Sequence, residues 1–360
     1  MDVAIVHDYL TQRGGAERVV LTLTRAFPEA PVYTSLYDPP ATFPAFTEVD
    51  VRTLPINHLA TLRRHHRAAL PFLAPSFSQL RVSADVVICS SSGWAHGARV
   101  DGKKIVYCHA PARWLYQRER YLRGRSRATW IVASLLQARL ERWDRAAAAS
   151  ADAYLANSTV VAERVKSAYG IDPVVVPPPP TIVPDGRSKP VAGVNPGFAL
   201  CVARLLPYKN VDAIVGAFAS LPELRLVIVG SGPEEGSLKA HATPNVRFVG
   251  TVDDATLRWL YANCRFLVAA SHEDFGLTPL EAAGFGKPTV ALRAGGYLDT
   301  VLEERNGIFF ESAEPDQIAA AVRAAVARPW SAGAIESSAE RFSETTFIDR
   351  LRETAALVSR

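Results

Sequence analysis

The stretch Arg265-Phe-Leu-Val-Ala-Ala-Ser271, followed by His272-Glu-Asp-Phe-Gly276 and Leu277-Thr-Pro-Leu-Glu281, decides the fold of this chain. Its continuous apolar run reads as a strand buried on both faces, broken by a polar loop with a glycine before a helical pattern opens. Thr278 is placed to cap that helix, Pro279 fits its first position, and Glu281 at the third completes a capping box. Thr289–Leu292 then supplies the next short apolar run, so strand and helix alternate.

The same alternation extends in both directions. Upstream it reads as strands Phe198–Ala203, Leu224–Gly230 and Val246–Gly250 with helices Val211–Leu221, Glu234–Ala242 and Ala255–Asn263; downstream as helix Pro279–Phe285, strand Ile308–Phe310 and helix Asp316–Ala327. The first half repeats the pattern, with strands Val3–Asp8, Pro31–Tyr37, Val49–Leu54, Asp85–Ser90, Lys104–His109 and Ala153–Asn157 and helices Ala16–Phe27 and Ala128–Ala149. Between them a proline-rich stretch, Pro173 to Pro196 with Pro177-Pro-Pro-Pro180 inside it, reads as a semi-rigid linker. Alternation of this kind predicts an α/β protein of two Rossmann-like doubly wound domains facing a central cleft. The expected division is residues 1–185 and 186–342, with a C-terminal helix at about 343–360 packing back on the first domain. A length of 360 residues suits two domains.

Composition narrows the class. The chain is 48% hydrophobic and 21% charged, near the average for globular domains. Cys89, Cys108, Cys201 and Cys264 lie far apart in apolar runs without a CxxC pair, which suits buried thiols and excludes a zinc knuckle. Met1 leads straight into the strand pattern Val3–His7 with no basic or apolar leader, and no apolar run reaches the length of a spanning helix. The expectation is a cytoplasmic protein whose membrane contact is peripheral, at the inner face of the plasma membrane. Residues 1–185 carry 22 Lys/Arg against 16 Asp/Glu, and residues 186–360 carry 18 against 20. Within Arg113–Arg145 nine arginines stand among Trp114, Tyr116, Tyr121, Trp130 and Trp143, a mixture that suits an anionic lipid surface. Arg118, Arg120, Arg123 and Arg125 are its expected membrane or acceptor contacts. No nucleic-acid-binding signature accompanies the charge.

Ligands of doubly wound sheets collect at the carboxyl ends of strands, where helix N-termini offer N–H groups to anions. Gly14-Gly15 occupies such a place after the first strand. Gly230-Ser-Gly232-Pro-Glu-Glu-Gly236 follows another, but the acid of a dinucleotide site is absent at the next strand end, where Phe248-Val249-Gly250 stands. This favours a phosphate or nucleoside loop over an NAD site. Glu273 stands in a strand-to-helix loop where its carboxylate can meet ligand hydroxyls, and Phe275-Gly276-Leu277 aims backbone N–H groups and a helix dipole at an anion. Arg204 and Lys209 follow the first strand of the second half, placed to neutralise a departing diphosphate.

Taken together, Glu273 and Glu281, Arg204 and Lys209, Gly14-Gly15, and His109 in Cys108-His-Ala-Pro111 resemble the retaining glycosyltransferases of family 4, which have the GT-B fold. His7-Asp-Tyr-Leu10, Gly14-Gly-Ala-Glu-Arg18, Pro207-Tyr-Lys209 and Glu273-Asp-Phe-Gly276 look most like the bacterial mannosyltransferases of cell-surface polysaccharide synthesis. The family's usual GGxxE stands here as Gly295-Gly-Tyr-Leu-Asp299, and Asp274 replaces the commoner glycine. The resemblance implies that Arg204 and Lys209 bind the diphosphate, Glu281 the ribose, and Glu273 with the Phe275–Leu277 amides and Thr278 the sugar and β-phosphate. Gly14, Gly15, Gly232 and Val249 would also line the donor, and His109 would face the sugar from the first domain. It further implies a metal-independent enzyme without cofactor, the chain holding no D-x-D, whose partners are a nucleotide-sugar donor, most of all GDP-mannose, a lipid-linked or glycan acceptor, and an anionic membrane. A UDP-sugar donor, a sugar-nucleotide epimerase, a non-catalytic nucleotide-sugar-binding scaffold and a dehydrogenase are the competing readings.

Overall fold

The computed structural model describes residues 1–116 and 127–360. It divides into two compact units, Met1–Pro178 together with Glu344–Arg360, and Pro179–Ser343. The chain passes between them inside the proline run. Ile182, just beyond it, is buried in the second unit's core, and Arg258 Nε donates to the Val183 carbonyl at 3.2 Å.

In the first unit, strands β1 (Val3–His7), β2 (Val32–Thr34), β3 (Val51–Thr53), β5 (Val86–Ser91), β7 (Lys103–Cys108), β8 (Ala153–Ala156) and β9 (Val174–Val175) form one parallel sheet in the order β3-β2-β1-β5-β7-β8-β9. Two short strands, β4 (Arg81–Val82) and β6 (Arg99–Val100), pair apart from it. Every residue of β1 and β5 is buried, as strands covered on both faces require. Successive side chains alternate between faces. Thus Ile5, Ile88 and Tyr107 join one core, and Val6, Cys89 and Val106 the other.

The helix Glu344–Val358 closes the first of these faces. Phe347, Leu351 and Ala355 recur every four residues as its buried stripe, and the Phe347 ring meets Tyr107 edge-on at 5.6 Å. Its start is tied to the helix α1 (Gly15–Ala26) by a bidentate pair, Arg25 to Glu344 at 2.5 and 2.9 Å. Arg352 donates twice to the Ala26 carbonyl at that helix's C-terminal end.

In the second unit, β10 (Phe198–Val202), β11 (Leu226–Val229), β12 (Val246–Gly250), β13 (Cys264–Ala269), β14 (Thr289–Leu292) and β15 (Gly307–Phe310) form a parallel sheet in the order β12-β11-β10-β13-β14-β15. The chain winds outward from β10 in one direction and from β13 in the other. The gap between their carboxyl ends is therefore the topological switch point. All four cysteines are buried and free, and burial pushes Cys89, Cys201 and Cys264 up to about 12, so they are inert thiols.

Candidate active site

Two loops meet at the switch point of the second sheet. Beyond β10 the chain carries Arg204, turns through Pro207–Lys209, and starts the helix Val211–Ala219 from Asn210 in the left-handed region, φ 51°. Asn210 Nδ2 donates to the Ala270 carbonyl just past β13 at 2.8 Å, which ties the first loop to the second. Across this junction Lys209 Nζ is ion-paired with Glu273. The same carboxylate accepts from Ser271 Oγ at 2.5 Å, and that hydroxyl lies 2.9 Å from the buried Tyr297 hydroxyl. Burial and the nearby Glu273 charge hold the Tyr297 phenol neutral, well above its ordinary range. Arg204 Nη2 donates to Tyr208 at 3.2 Å, and Lys209 Nζ sits 5.0 Å from the centre of that exposed ring.

The loop after Glu273 rests on a glycine pair. A Cβ at Gly295 would fall 2.2 Å from the Glu273 carbonyl oxygen, and one at Gly296 would fall 2.3 Å from Phe275 Cα. Gly296 N–H donates to the Glu273 carbonyl at 2.9 Å. Phe275 itself is buried against Phe342, 6.1 Å between ring centres, so this residue offers its backbone rather than its ring.

The helix entry differs from the sequence expectation. It begins at Leu277, with Gly276 as N-cap at φ 89° and no side-chain cap, so Thr278 lies inside the helix and no capping box forms. The cause is tertiary: Tyr297 packs 2.6 Å from where a Gly276 Cβ would stand, and only glycine takes the left-handed backbone in that space without strain. Thr278 instead hydrogen-bonds Tyr297. The opening amides of Leu277 and Thr278 are left for an anion. Released from capping, Glu281 is buried, with Oε1 accepting from Thr181 and Oε2 from Tyr261, each at 2.8 Å.

Gly232 lies beside the Arg204 loop, whereas Val249 stands on the edge strand β12, with β11 between it and β10. Gly230 and Gly232 let the loop after β11 touch the backbone carrying Arg204: added Cβ atoms would stand 1.9 Å from the Ala203 carbonyl and 2.2 Å from that of Leu205. These glycines serve backbone packing around Arg204. Val249 is half-buried near the end of β12, where Gly230 N–H reaches the Gly250 carbonyl at 2.8 Å.

In the first unit, His109 follows β7 with Nε2 2.8 Å from Ser90 Oγ, and His7 Nδ1 lies 3.1 Å from the same hydroxyl. Burial lowers His109 to about 3 and His7 to about 4, so both rings are neutral. Asp8, next to His7, accepts from the amides of Ser92, Trp94 and Ala95 at 2.6 to 3.2 Å. Gly14 is the N-cap of α1 and Gly15 its first residue; the buried Glu17 carboxylate bends back to within 2.5 Å of a Gly14 Cβ position and accepts from Gln12. An acid already faces that helix end.

Arg118, Arg120, Arg123 and Arg125 lie outside the described residues. Trp114, Tyr116 and Trp143 of their segment turn inward, against the expectation of a lipid-facing set. Trp114 stacks on Trp94 at 4.6 Å, Trp143 donates to Ser78 at 2.8 Å, and Tyr116 donates to the buried Asp144 at 2.9 Å. Each finds a partner within the first unit's core, which outweighs what a membrane surface would offer an indole or phenol.

Solved structures similar over nearly all of the chain include Anabaena Alr3699/HepE in complex with UDP and glucose, at 18% identity and TM-score 0.71, covering 99% of both chains. Another is the lipopolysaccharide outer core galactosyltransferase WaaB in its apo form, at 18% identity and TM-score 0.66, covering 99% of both chains. The fold is thus that of the GT-B glycosyltransferases. Residues 13–181 match the family model Glycosyltransferase Family 4 and residues 185–346 match Glycosyl transferases group 1. The two matches divide nearly the whole length of the chain between them and support a GT-B glycosyltransferase of family 4. Curated relatives include the GDP-mannose-dependent alpha-mannosyltransferase of Mycobacterium tuberculosis, 36% identical over 142 residues, 38% of this chain and 35% of the relative. Glycogen synthase of Thermus thermophilus is 32% identical over 161 residues, 41% of this chain and 37% of the relative. The matches thus span between a third and a half of these relatives' length.

Proposed function

We propose that this protein is a retaining hexosyltransferase that transfers mannose from GDP-mannose to a lipid-linked or glycan acceptor of the cell envelope, working at the inner face of the plasma membrane. The observation that carries the reading is the charge arrangement at the second sheet's switch point, Arg204 and Lys209 on one loop and Glu273 with the uncapped Leu277–Thr278 amides on the other. Two cations and a helix N-terminus suit a diphosphate, and a carboxylate beside them suits sugar hydroxyls. In the step itself the bond from the sugar's anomeric carbon to the diphosphate oxygen breaks, and a bond from that carbon to the acceptor oxygen forms. The acceptor's proton passes to the departing diphosphate on the same face. Arg204 and Lys209 stabilise the charge that develops on the leaving group, so positioning and electrostatics supply the rate and no metal is needed.

Similarity to the mycobacterial enzyme favours GDP-mannose; the fold of HepE, solved with UDP and glucose, favours a UDP-sugar as second reading. Calorimetric titration of GDP-mannose, UDP-glucose and an ADP-sugar, followed by NMR of the product's anomeric carbon, separates them. Tight binding of a UDP-sugar alone rejects the mannose assignment, and an inverted product rejects retention.

A further inference from the structure

Residues 51–84 contain five arginines and three histidines and not one aspartate or glutamate. They fold as a 3₁₀ turn Pro55–His58, a short helix Ala60–Arg64 and a helix Leu70–Gln79, with the turn packed against the last of these. The inward side is settled: Leu73, Ala74 and Phe77 are buried in the first unit's core. The outward side is apolar and basic together. Leu59 is 57% exposed and Phe72 55%, two of the few large apolar side chains at the surface. Phe72 and Pro75 stand one helical turn apart on the outer face of their helix, and Arg64 and His65 are exposed in the preceding segment. Among the described ion pairs, none takes Arg63, Arg64 or Arg81.

We infer that this face, rather than the Arg113–Arg145 segment, docks the protein on an anionic bilayer. Charge complementarity and two large apolar side chains left more than half exposed support this. A soluble surface of this size ordinarily interleaves acids with bases, whereas uncompensated arginines flanking protruding Leu and Phe side chains match headgroup phosphates above an acyl boundary. Single-stranded nucleic acid would satisfy the charge, but would call for aromatic rings set in a basic groove, and here Phe72 stands on a convex helix. This deepens the membrane-associated part of the proposed function and does not depend on the donor assignment.

The test is co-sedimentation of the full chain with vesicles of phosphatidylcholine alone and of phosphatidylcholine mixed with phosphatidylglycerol. Wild type is expected to sediment only with the mixed vesicles. Leu59→Ser/Phe72→Ser and Arg63→Ser/Arg64→Ser are each expected to weaken partitioning at least tenfold. Leu357→Ser, which removes an equally exposed side chain from another helix, is expected to leave it unchanged, and circular dichroism confirms that every variant folds. Retained vesicle binding in both double variants, or binding lost only when Arg118, Arg120, Arg123 and Arg125 are changed together, overturns the assignment. So does binding to an RNA oligonucleotide in place of vesicles. Vesicle binding without any sugar transfer by wild type would sink the proposed activity and leave this surface standing.

Discussion

Lys209 and Glu273, 64 positions apart in sequence, form an ion pair across the switch point between β10 and β13. Both are largely buried, so the pair fixes the two loops that carry the charge of the site. Lys209→Ala takes away both the loop tie and the cation for the leaving group. The expected loss is 10²- to 10³-fold in kcat, about 2.7–4 kcal/mol, the range for removing one donor to a developing anion. Arg204→Ala, whose side chain meets Tyr208 among the described residues, is expected to lose activity on the same scale while its thermal midpoint stays near that of wild type. Near-normal turnover in both would remove the leaving-group role.

Gly295 and Gly296 have no room for a methyl group beneath the Glu273–Phe275 backbone. Gly296→Ala must therefore push the loop outward. A displacement of about 1 Å at reacting groups costs on the order of 10²-fold. The expected result is a kcat lowered about that much in a protein that still unfolds cooperatively. Full activity in Gly296→Ala would show that the loop's position is not used in catalysis.

Glu281 accepts hydroxyls from Thr181 and Tyr261 in a buried setting. Tyr261→Phe is expected to lower stability by about 1–3 kcal/mol, because it withdraws a donor from a buried carboxylate. If Glu281 also holds the donor's ribose, Glu281→Ala weakens donor affinity more than tenfold by calorimetry, whereas Tyr261→Phe weakens it far less. Equal, small effects on affinity from both substitutions assign Glu281 to structure alone.

Burial sets the pH dependence of stability. His7 and His109 drop from 6.5 to about 4 and about 3, so the unfolded chain binds protons there that the folded chain refuses. Their contribution is present in full above pH 6.5 and is lost as pH falls toward those values. Asp8 opposes them: burial raises it from 3.8 to about 6, and its contribution, present below 3.8, is lost as pH rises through 6. Two groups outweigh one, so the urea midpoint is expected to be higher at about pH 7 than at about pH 4.5, and His109→Gln should narrow the difference. Equal midpoints at the two pH values would contradict the buried neutral imidazoles.

The described residues hold no group of three or more His, Cys, Asp or Glu side chains placed to bind a metal ion. Since Arg204 and Lys209 can carry the charge, transfer is expected to persist in EDTA. Loss of turnover on chelation, restored by Mg²⁺ or Mn²⁺, would falsify metal independence.

Much of the fold was legible because strands buried on both faces leave unbroken apolar runs, as in Val86–Ser91 and Cys264–Ala269. The charged residues at strand ends were legible for a related reason: Arg204, Lys209 and Glu273 follow such runs directly. What escaped depended on partners remote in sequence. Ser271 carries no motif and Tyr297 fills an unspecified position of Gly295–Asp299, yet they hold Glu273; Ser90 joins His7 to His109 only because β1, β5 and β7 are neighbours. The capping box at Thr278 failed for the same reason: local preference favoured it, but Tyr297 required glycine two residues earlier. The contacts of Trp114 with Trp94 and of Trp143 with Ser78 likewise join positions that nothing local in the sequence relates.

The second unit interrupts the first, whose core is closed by Glu344–Val358 only after residues 179–343 have intervened. On the ribosome this imposes an order. The second unit has all its strands and helices once Ser343 has left the exit tunnel, while Tyr107 and the face around it still wait for Phe347 and Leu351. The part made first is the part finished last, and its uncovered apolar face is the surface that nascent-chain chaperones would meet during synthesis.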